Sequence, residues 1–290
     1  MHYIQSKSIL SPQNGMNLYR GCTHGCIYCD SRSRCYQMDH DFTDIAVKIN
    51  APALLEDALR RKRKKCMIGT GAMCDPYMPL ERELELTRRC LEIIHRYGFG
   101  AAVQTKSDLV LRDLDLLAAI HENAKAVVQM TLTTADEALC RILEPDVCTT
   151  MDRYRTLKVF QARGIPTVVW LSPILPWLND TEENLLMLLE LCADAGVRGI
   201  LCFGMGVTLR EGDREYFYAQ LDRHFPGLRD RYHRTFGLAY ECSSPRNGEL
   251  MPLFHRFCEN HGIIHDNDAI FRYLHEFPPK TTQLAMFSAL

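Results

Sequence analysis

Short apolar runs of strand length alternate with stretches of helical period along most of the chain. The runs at 16–20, 66–71, 99–105, 126–132, 165–171 and 198–203 read as strands. Helical spacing predicts helices over 52–65, 80–97, 112–122, 149–163, 181–195 and 213–224. Asp180 followed by Glu183 predicts a capping pair opening the fifth helix, and Gly98, Gly164 and Gly196 stand where helix-ending glycines belong. Six strand–helix pairs in succession require an α/β fold with a parallel sheet and right-handed crossovers. The pattern suits a doubly wound sheet and a barrel equally. No repeat, low-complexity tract or linker divides the 290 residues, a length one large α/β unit can use.

In either architecture the ligand site lies outside the carboxyl ends of the strands. The segments that follow the strands are therefore the informative ones. They are the loop 20–30, Cys74-Asp75-Pro76-Tyr77, Thr105-Lys106-Ser107, Thr131-Leu132-Thr133-Thr134, Ser172-Pro173-Ile174-Leu175-Pro176 and Phe203-Gly204-Met205-Gly206. All six are expected to converge on one mouth.

Composition narrows the class. With 47% hydrophobic and 24% charged residues the chain reads as globular, and a net charge of −2 offers no global field for a polyanion or an anionic membrane. The first residues, Met1-His2-Tyr3-Ile4-Gln5-Ser6-Lys7, lack the apolar run of a secretion signal, and no window reaches transmembrane length. A cytoplasmic location is expected, with no membrane partner. There the thirteen cysteines point to metal or redox chemistry rather than disulfides. The basic run Arg60-Arg61-Lys62-Arg63-Lys64-Lys65 reads as a solvated helix end, with a phosphate-binding patch as the alternative.

Three of the cysteines carry the strongest signal. Arg20-Gly21-Cys22-Thr23-His24-Gly25-Cys26-Ile27-Tyr28-Cys29-Asp30 places Cys22, Cys26 and Cys29 at spacing C-x3-C-x2-C beside two glycines that allow a tight wrap. A structural zinc wants four protein ligands, and Cys35 could supply the fourth. Three thiolates instead suit a [4Fe–4S] cluster with one iron open to a non-protein ligand. Three ordinary buried thiols are the bland reading.

The spacing, with Tyr28 before the last cysteine, resembles the cluster loop of the radical S-adenosylmethionine (SAM) enzymes. The string from Tyr19 to Cys29 resembles more narrowly the branch containing spore photoproduct lyase. The resemblance runs from about residue 14 to 275. It implies a partial (β/α)6 TIM-type barrel over 1–225 and a small C-terminal helical extension, 226–290, packed on it rather than forming a domain of its own. Cys22, Cys26 and Cys29 would each hold one iron, and the fourth iron would be chelated by the amino and carboxylate groups of SAM. The implied reaction is reductive cleavage of SAM to a 5′-deoxyadenosyl radical that abstracts hydrogen from a substrate, with flavodoxin or ferredoxin as electron donor.

The same resemblance assigns further residues. Tyr28 belongs to the cofactor site, and the Thr-Lys-Ser string places Lys106 at the SAM carboxylate with Ser107 beside it. Gly71 and Asp75 fall where the family's Gly-Gly-Glu string binds the SAM ammonium, but no glutamate stands there. That contact would fall either to Asp75 or to backbone carbonyls. Thr131 and Thr133 lie on one side of their strand, within reach of a ribose, although β-propensity also explains them. Cys74 falls in the region where a cysteine of photoproduct lyase returns a hydrogen atom to the product radical; a buried packing thiol is the alternative. Glu144-Pro145, with Arg141 and Arg153, reads as support for the SAM pocket, and Asn179-Asp180 as a helix cap. The substrate stays open among DNA, RNA, peptide and small molecules. The competing function is an iron–sulfur or zinc module without turnover, a sensor or scaffold.

Overall fold

The computed structural model describes residues 1–278. Strands β1 (His2–Ile4), β2 (Gly15–Met16), β3 (Tyr19–Arg20) and β4 (Ala46–Lys48) precede helix α1 (Ala51–Arg61). Then come β5 (Met67–Thr70), α2 (Glu81–Leu84), α3 (Leu86–Arg96), β6 (Gly100–Thr105), α4 (Leu114–Asn123), β7 (Ala126–Thr131), α5 (Glu137–Leu143) and α6 (Thr150–Ala162). They are followed by β8 (Thr167–Trp170), α7 (Glu182–Asp194), β9 (Gly199–Leu201), β10 (Gly206–Thr208), α8 (Asp213–His224) and α9 (Leu228–Phe236). The described chain ends with β11 (Glu241–Ser243), α10 (Asn247–Asn260) and α11 (Asn267–His275).

Six parallel strands in the order β2-β5-β6-β7-β8-β9 make the partial (β/α)6 barrel. Alternation along the strands sorts their side chains into two cores. Ile68, Ala101, Val103, Val128, Met130 and Val169 face the outer helices and join the main core. Met67, Ala102, Val127, Val168 and Leu201 face inward, where Ile270 and Leu274 of α11 cover them. Helix α11 thus covers the inner face of the sheet. A third cluster joins Cys26, Ile27 and Tyr28 of the cysteine loop to Leu143, Leu175, and Phe217, Leu221 and Tyr232 of α8 and α9. Among the described residues no helix is long and apolar enough to cross a membrane.

Several expectations change in detail. The strand expected over 16–20 is two: β2 joins the barrel, while β3 turns away to pair antiparallel with β4 in a small sheet, β1-β4-β3. The helix expected over 80–97 breaks at Glu85, whose φ is +47°. The break brings the Thr87 amide back onto the fully buried Glu81 carboxylate at 2.9 Å, and that carboxylate also takes the Tyr19 hydroxyl and Arg112. Satisfying a buried carboxylate outweighs helical continuity there. Helix α1 stops at Arg61, so most of the basic run lies beyond it. Four of its six members are tied down locally: Arg60 and Arg61 pair with Asp57, Lys62 donates to Asn14 Oδ1 at 2.6 Å, and Lys65 to the Tyr97 carbonyl. Thr181, not Asp180, caps α7 by accepting from the Asn184 amide at 3.1 Å. Asp180 and Asn179 instead brace the preceding turn, accepting from the backbone amides of Trp177 and Leu175. The helix-ending glycines 98, 164 and 196 all have positive φ.

Candidate active site

The cysteine loop leaves β3 through Gly21, whose φ is +89° and where a Cβ would meet the Phe42 carbonyl oxygen at 2.4 Å. Backbone bonds pin the loop from two sides. Cys22 N donates to the Phe42 carbonyl at 3.1 Å, and Ile27 N to the Leu143 carbonyl at 2.9 Å. Cys22, Cys26 and Cys29 then line one cavity of about 110 Å³ together with His24, Gly71 to Asp75, Gln104 to Lys106, and Thr131. Cys35 is exposed, outside this lining, and accepts from Arg210 at 3.6 Å.

Burial pushes the Cys22 thiol up to about 12, with the Asp75 carboxylate adding to the effect. Burial also pushes Cys26 well above the ordinary thiol range, opposed by the Lys106 charge. Bare thiolates are therefore disfavoured, and a cationic centre that ligates them must supply the compensating charge. Among the described residues no three His, Cys, Asp or Glu side chains gather around one point as the ligands of a single ion would. Three thiols lining one cavity are the number that holds a [4Fe–4S] cluster with one iron left open, each thiolate taking its own iron.

Lys106 stands at the end of β6 and reaches both this cavity and a larger one above it. Burial alone would push its ammonium down, but Cys26, Glu144, Cys29 and Asp75 together raise it, so it remains a cation. Its ammonium lies 5.9 Å from the centre of the Tyr28 ring. The Tyr28 hydroxyl donates to Glu144. Glu144 pairs at 2.6 Å with Arg153, and both side chains are fully buried. The guanidinium also donates to the carbonyls of Thr131 at 2.9 Å and Cys148 at 2.8 Å. Tyr28, Glu144 and Arg153 thus form one polar column tying the cysteine loop to the end of β7 and the start of α6. Arg141 lies outside it, paired with Glu137 on the surface.

Asp75 is the second organiser. Its carboxylate accepts from Tyr77 N at 2.8 Å, Thr105 Oγ1 at 2.7 Å and Lys106 N at 2.7 Å, and His24 Nδ1 lies 3.4 Å away. Those partners lock the end of β5 to the end of β6 and to the cysteine loop. Gly71 allows that approach: its φ is +100°, and a Cβ would meet the Gln104 carbonyl oxygen at 1.9 Å.

Of the remaining expected residues, Thr131 lines the small cavity and Thr133 does not. Thr133 is fully buried, and its carbonyl accepts from Asn179 and Asn184. Ser107 caps a 3-10 turn by accepting from Leu109 N at 3.2 Å. Cys74 lines the small cavity and also packs in the main core, its thiol donating to the Tyr19 carbonyl at 3.2 Å. His24 went unnoticed because a histidine between ligating cysteines looks like a spacer. Phe203, at 60% exposure, rims the larger cavity and rests beside Trp170 and Phe271, with ring centres 6.0 and 6.1 Å away. That cavity holds about 480 Å³ and is lined by Tyr28, Cys29, Tyr36, Met73, Lys106 and Phe203 among others.

The family model described as the Radical SAM superfamily matches residues 16–192. An uncharacterized protein of Mycobacterium tuberculosis (strain ATCC 25618 / H37Rv) is 33% identical over 249 residues, covering 83% of this chain and 69% of that one. An uncharacterized protein of Methanocaldococcus jannaschii is 32% identical over 169 residues, covering 58% and 62%. Among solved structures, a spore photoproduct lyase mutant with bound AdoMet and dinucleoside spore photoproduct superposes with a TM-score of 0.62 at 14% identity, covering 90% of this chain and 78% of that one. A radical SAM methyltransferase from Kitasatospora setae, with cobalamin and a [4Fe–4S] cluster bound, gives 0.50 at 15% identity, covering 67% and 37%.

Proposed function

Because the chain belongs to the radical SAM superfamily, whose cofactors are a [4Fe–4S] cluster and SAM, we propose that it cleaves SAM reductively and uses the radical on a substrate held in the larger cavity. One observation carries this reading: three loop thiols and the Lys106 ammonium surround a single cavity at the carboxyl ends of the parallel strands. The bound cofactors supply the electron and the 5′-deoxyadenosyl radical; the chain supplies position, charge and exclusion of water.

In this reading Cys22, Cys26 and Cys29 hold the cluster, and Lys106 meets the SAM carboxylate as a point charge. The ammonium goes to backbone carbonyls of the Gly71-Ala72-Met73 segment, because the Asp75 carboxylate already serves three hydrogen-bond donors. Thr131 is the ribose contact. Tyr28 forms a wall of the pocket and transmits the Glu144–Arg153 anchor to the loop. Ser107 and Thr133 act in support, as a turn cap and a buried link to Asn179. Residues 1–225 are the catalytic barrel and 226–290 its extension, of which 279–290 lie outside the described residues, with a flavodoxin or ferredoxin as electron donor.

The substrate class follows from the rim. Phe203, exposed yet supported by two aromatic neighbours, is a stacking platform, which favours a planar ring such as a nucleobase. The dinucleoside spore photoproduct bound by the superposable lyase is a ligand of that kind. The test is anaerobic reconstitution with iron and sulfide, addition of SAM and a strong reductant, and chromatography. Formation of 5′-deoxyadenosine and methionine is expected. A protein that binds a cluster yet leaves SAM intact is a sensor or scaffold and overturns the proposal.

A further inference from the structure

A second cavity of about 490 Å³ adjoins the active-site mouth, sharing Ser31, Tyr36 and Met73 with it. Its far wall is built from the ends of the small sheet and the segment after β1: Lys7, Asn17, Arg20 and Lys48. Three of its lining residues are cations and none is an acid. None of the three forms an ion pair among the described residues.

Their hydrogen bonds go to neutral groups only. Lys48 donates to the Asn17 carbonyl at 2.7 Å, and Arg20 to the carbonyls of Gln37 at 3.1 Å and Tyr36 at 3.4 Å. The Lys48 ammonium is half-buried. Burial pushes its pKa down; Cys74 opposes the fall and the Arg20 charge adds to it. The buried side-chain oxygen of Asn17 has no partner either, and its amide can present oxygen or nitrogen to a ligand. Half-buried cations normally find a carboxylate. Here the half-buried Arg20 and Lys48 and the exposed Lys7 line a half-open cavity that adjoins the active-site mouth.

We propose that this side cavity binds a phosphate group of the substrate, with Lys7, Arg20 and Lys48 as its counter-charges, while the rest of the substrate extends past Tyr36 into the cavity rimmed by Phe203. This rests on the function proposed above. A phosphate is favoured over a carboxylate because a monoester carries up to two negative charges and three acceptor oxygens, matching three separate donors. The phosphate has two sources: a small phosphomonoester, whose three free oxygens can meet all three donors, or one diester link of a polynucleotide strand, which offers a single charge and two free oxygens to the same cations.

The test is calorimetric titration of the full-length reconstituted protein, in chloride buffer, with inorganic phosphate, adenosine 5′-monophosphate and a ten-residue single-stranded oligothymidylate. Each binding should weaken at least about tenfold in Lys48→Met, the loss of one charge-assisted bond, and survive in Lys48→Arg. Lys7→Ala, at an exposed position, tests the same wall should Lys48→Met fail to fold. Lys64→Met, in the exposed basic run, is the control for nonspecific charge. Tighter binding of the monophosphate than of the oligomer assigns a small phosphoester; the reverse assigns a strand. Absence of phosphate binding, equal affinity in Lys48→Met and parent, or an equal loss in Lys64→Met overturns the proposal. Binding is read without turnover, so a failure of SAM cleavage alone would count against the catalytic reading and not against this one.

Discussion

Removing Glu144 should be among the most damaging single changes in the barrel. Its carboxylate is the one that the fully buried Arg153 guanidinium touches among the described residues, at 2.6 Å, and it also accepts from the Tyr28 hydroxyl. In Glu144→Ala the guanidinium keeps only the carbonyls of Thr131 and Cys148 and a longer contact to the Cys140 sulfur. Deleting one partner of a buried pair costs about 3–5 kcal/mol. The orphaned Tyr28 hydroxyl adds a further penalty of about 1–3 kcal/mol. The exposed pair Arg141–Glu137 provides the internal control, where Arg141→Ala should cost only about 0.2–1 kcal/mol. Replacing both buried members, Glu144→Leu with Arg153→Met, should recover much of the loss, because the penalty lies in the uncompensated charge.

Urea unfolding of the four proteins under anaerobic, reducing conditions measures these differences, and iron content after reconstitution reports whether the cysteine loop loosens with Tyr28. A Glu144→Ala penalty no larger than that of Arg141→Ala would refute the reasoning. The pH dependence follows from the same pair. Burial pushes the Glu144 carboxyl up, but Arg153 and then Lys106 more than compensate, leaving it below its ordinary value of 4.5. A depressed native pKa gives stability that is present above about pH 4.5 and lost as pH falls below it toward the native value. Glu144→Gln should flatten that acid limb.

Three further outcomes are expected. Cys22→Ala, Cys26→Ala and Cys29→Ala should each abolish the brown cluster absorbance and SAM cleavage, whereas Cys35→Ala, altering a thiol outside the cavity, should leave absorbance unchanged. Lys106→Ala should weaken SAM binding by more than about 1.5 kcal/mol, measured by equilibrium dialysis, with iron content unchanged. Gly71→Ala forces a Cβ to within 1.9 Å of the Gln104 carbonyl oxygen at a positive φ, and should lower stability by more than about 1 kcal/mol in the same urea assay.

The barrel was legible in the sequence because its strands and helices are regular, local and separated by helix-ending glycines. The cluster loop was legible because ligand spacing within eight residues is itself local. What escaped depends on partners far along the chain. The break at Glu85 follows from Glu81 being buried against Tyr19, sixty-two positions earlier. The Cys74 thiol looks free until Tyr19 presents a carbonyl to it. Asp75 looks like an open ligand until Thr105 and Lys106 close on it from the next strand. The Tyr28–Glu144 contact spans 116 positions, beyond the reach of any periodicity.

Helix α11 sets an order on biosynthesis. It leaves the ribosome after every strand of the barrel, yet Ile270 and Leu274 are what cover Met67, Ala102, Val127, Val168 and Leu201 on the inner face. Until it docks, the nascent sheet carries an unlined apolar strip from strands otherwise ready to pair. Such transient surfaces attract holdases and promote aggregation at high expression. A fragment ending before residue 267 should therefore accumulate in inclusion bodies even though it contains the whole cysteine loop and every strand of the large sheet.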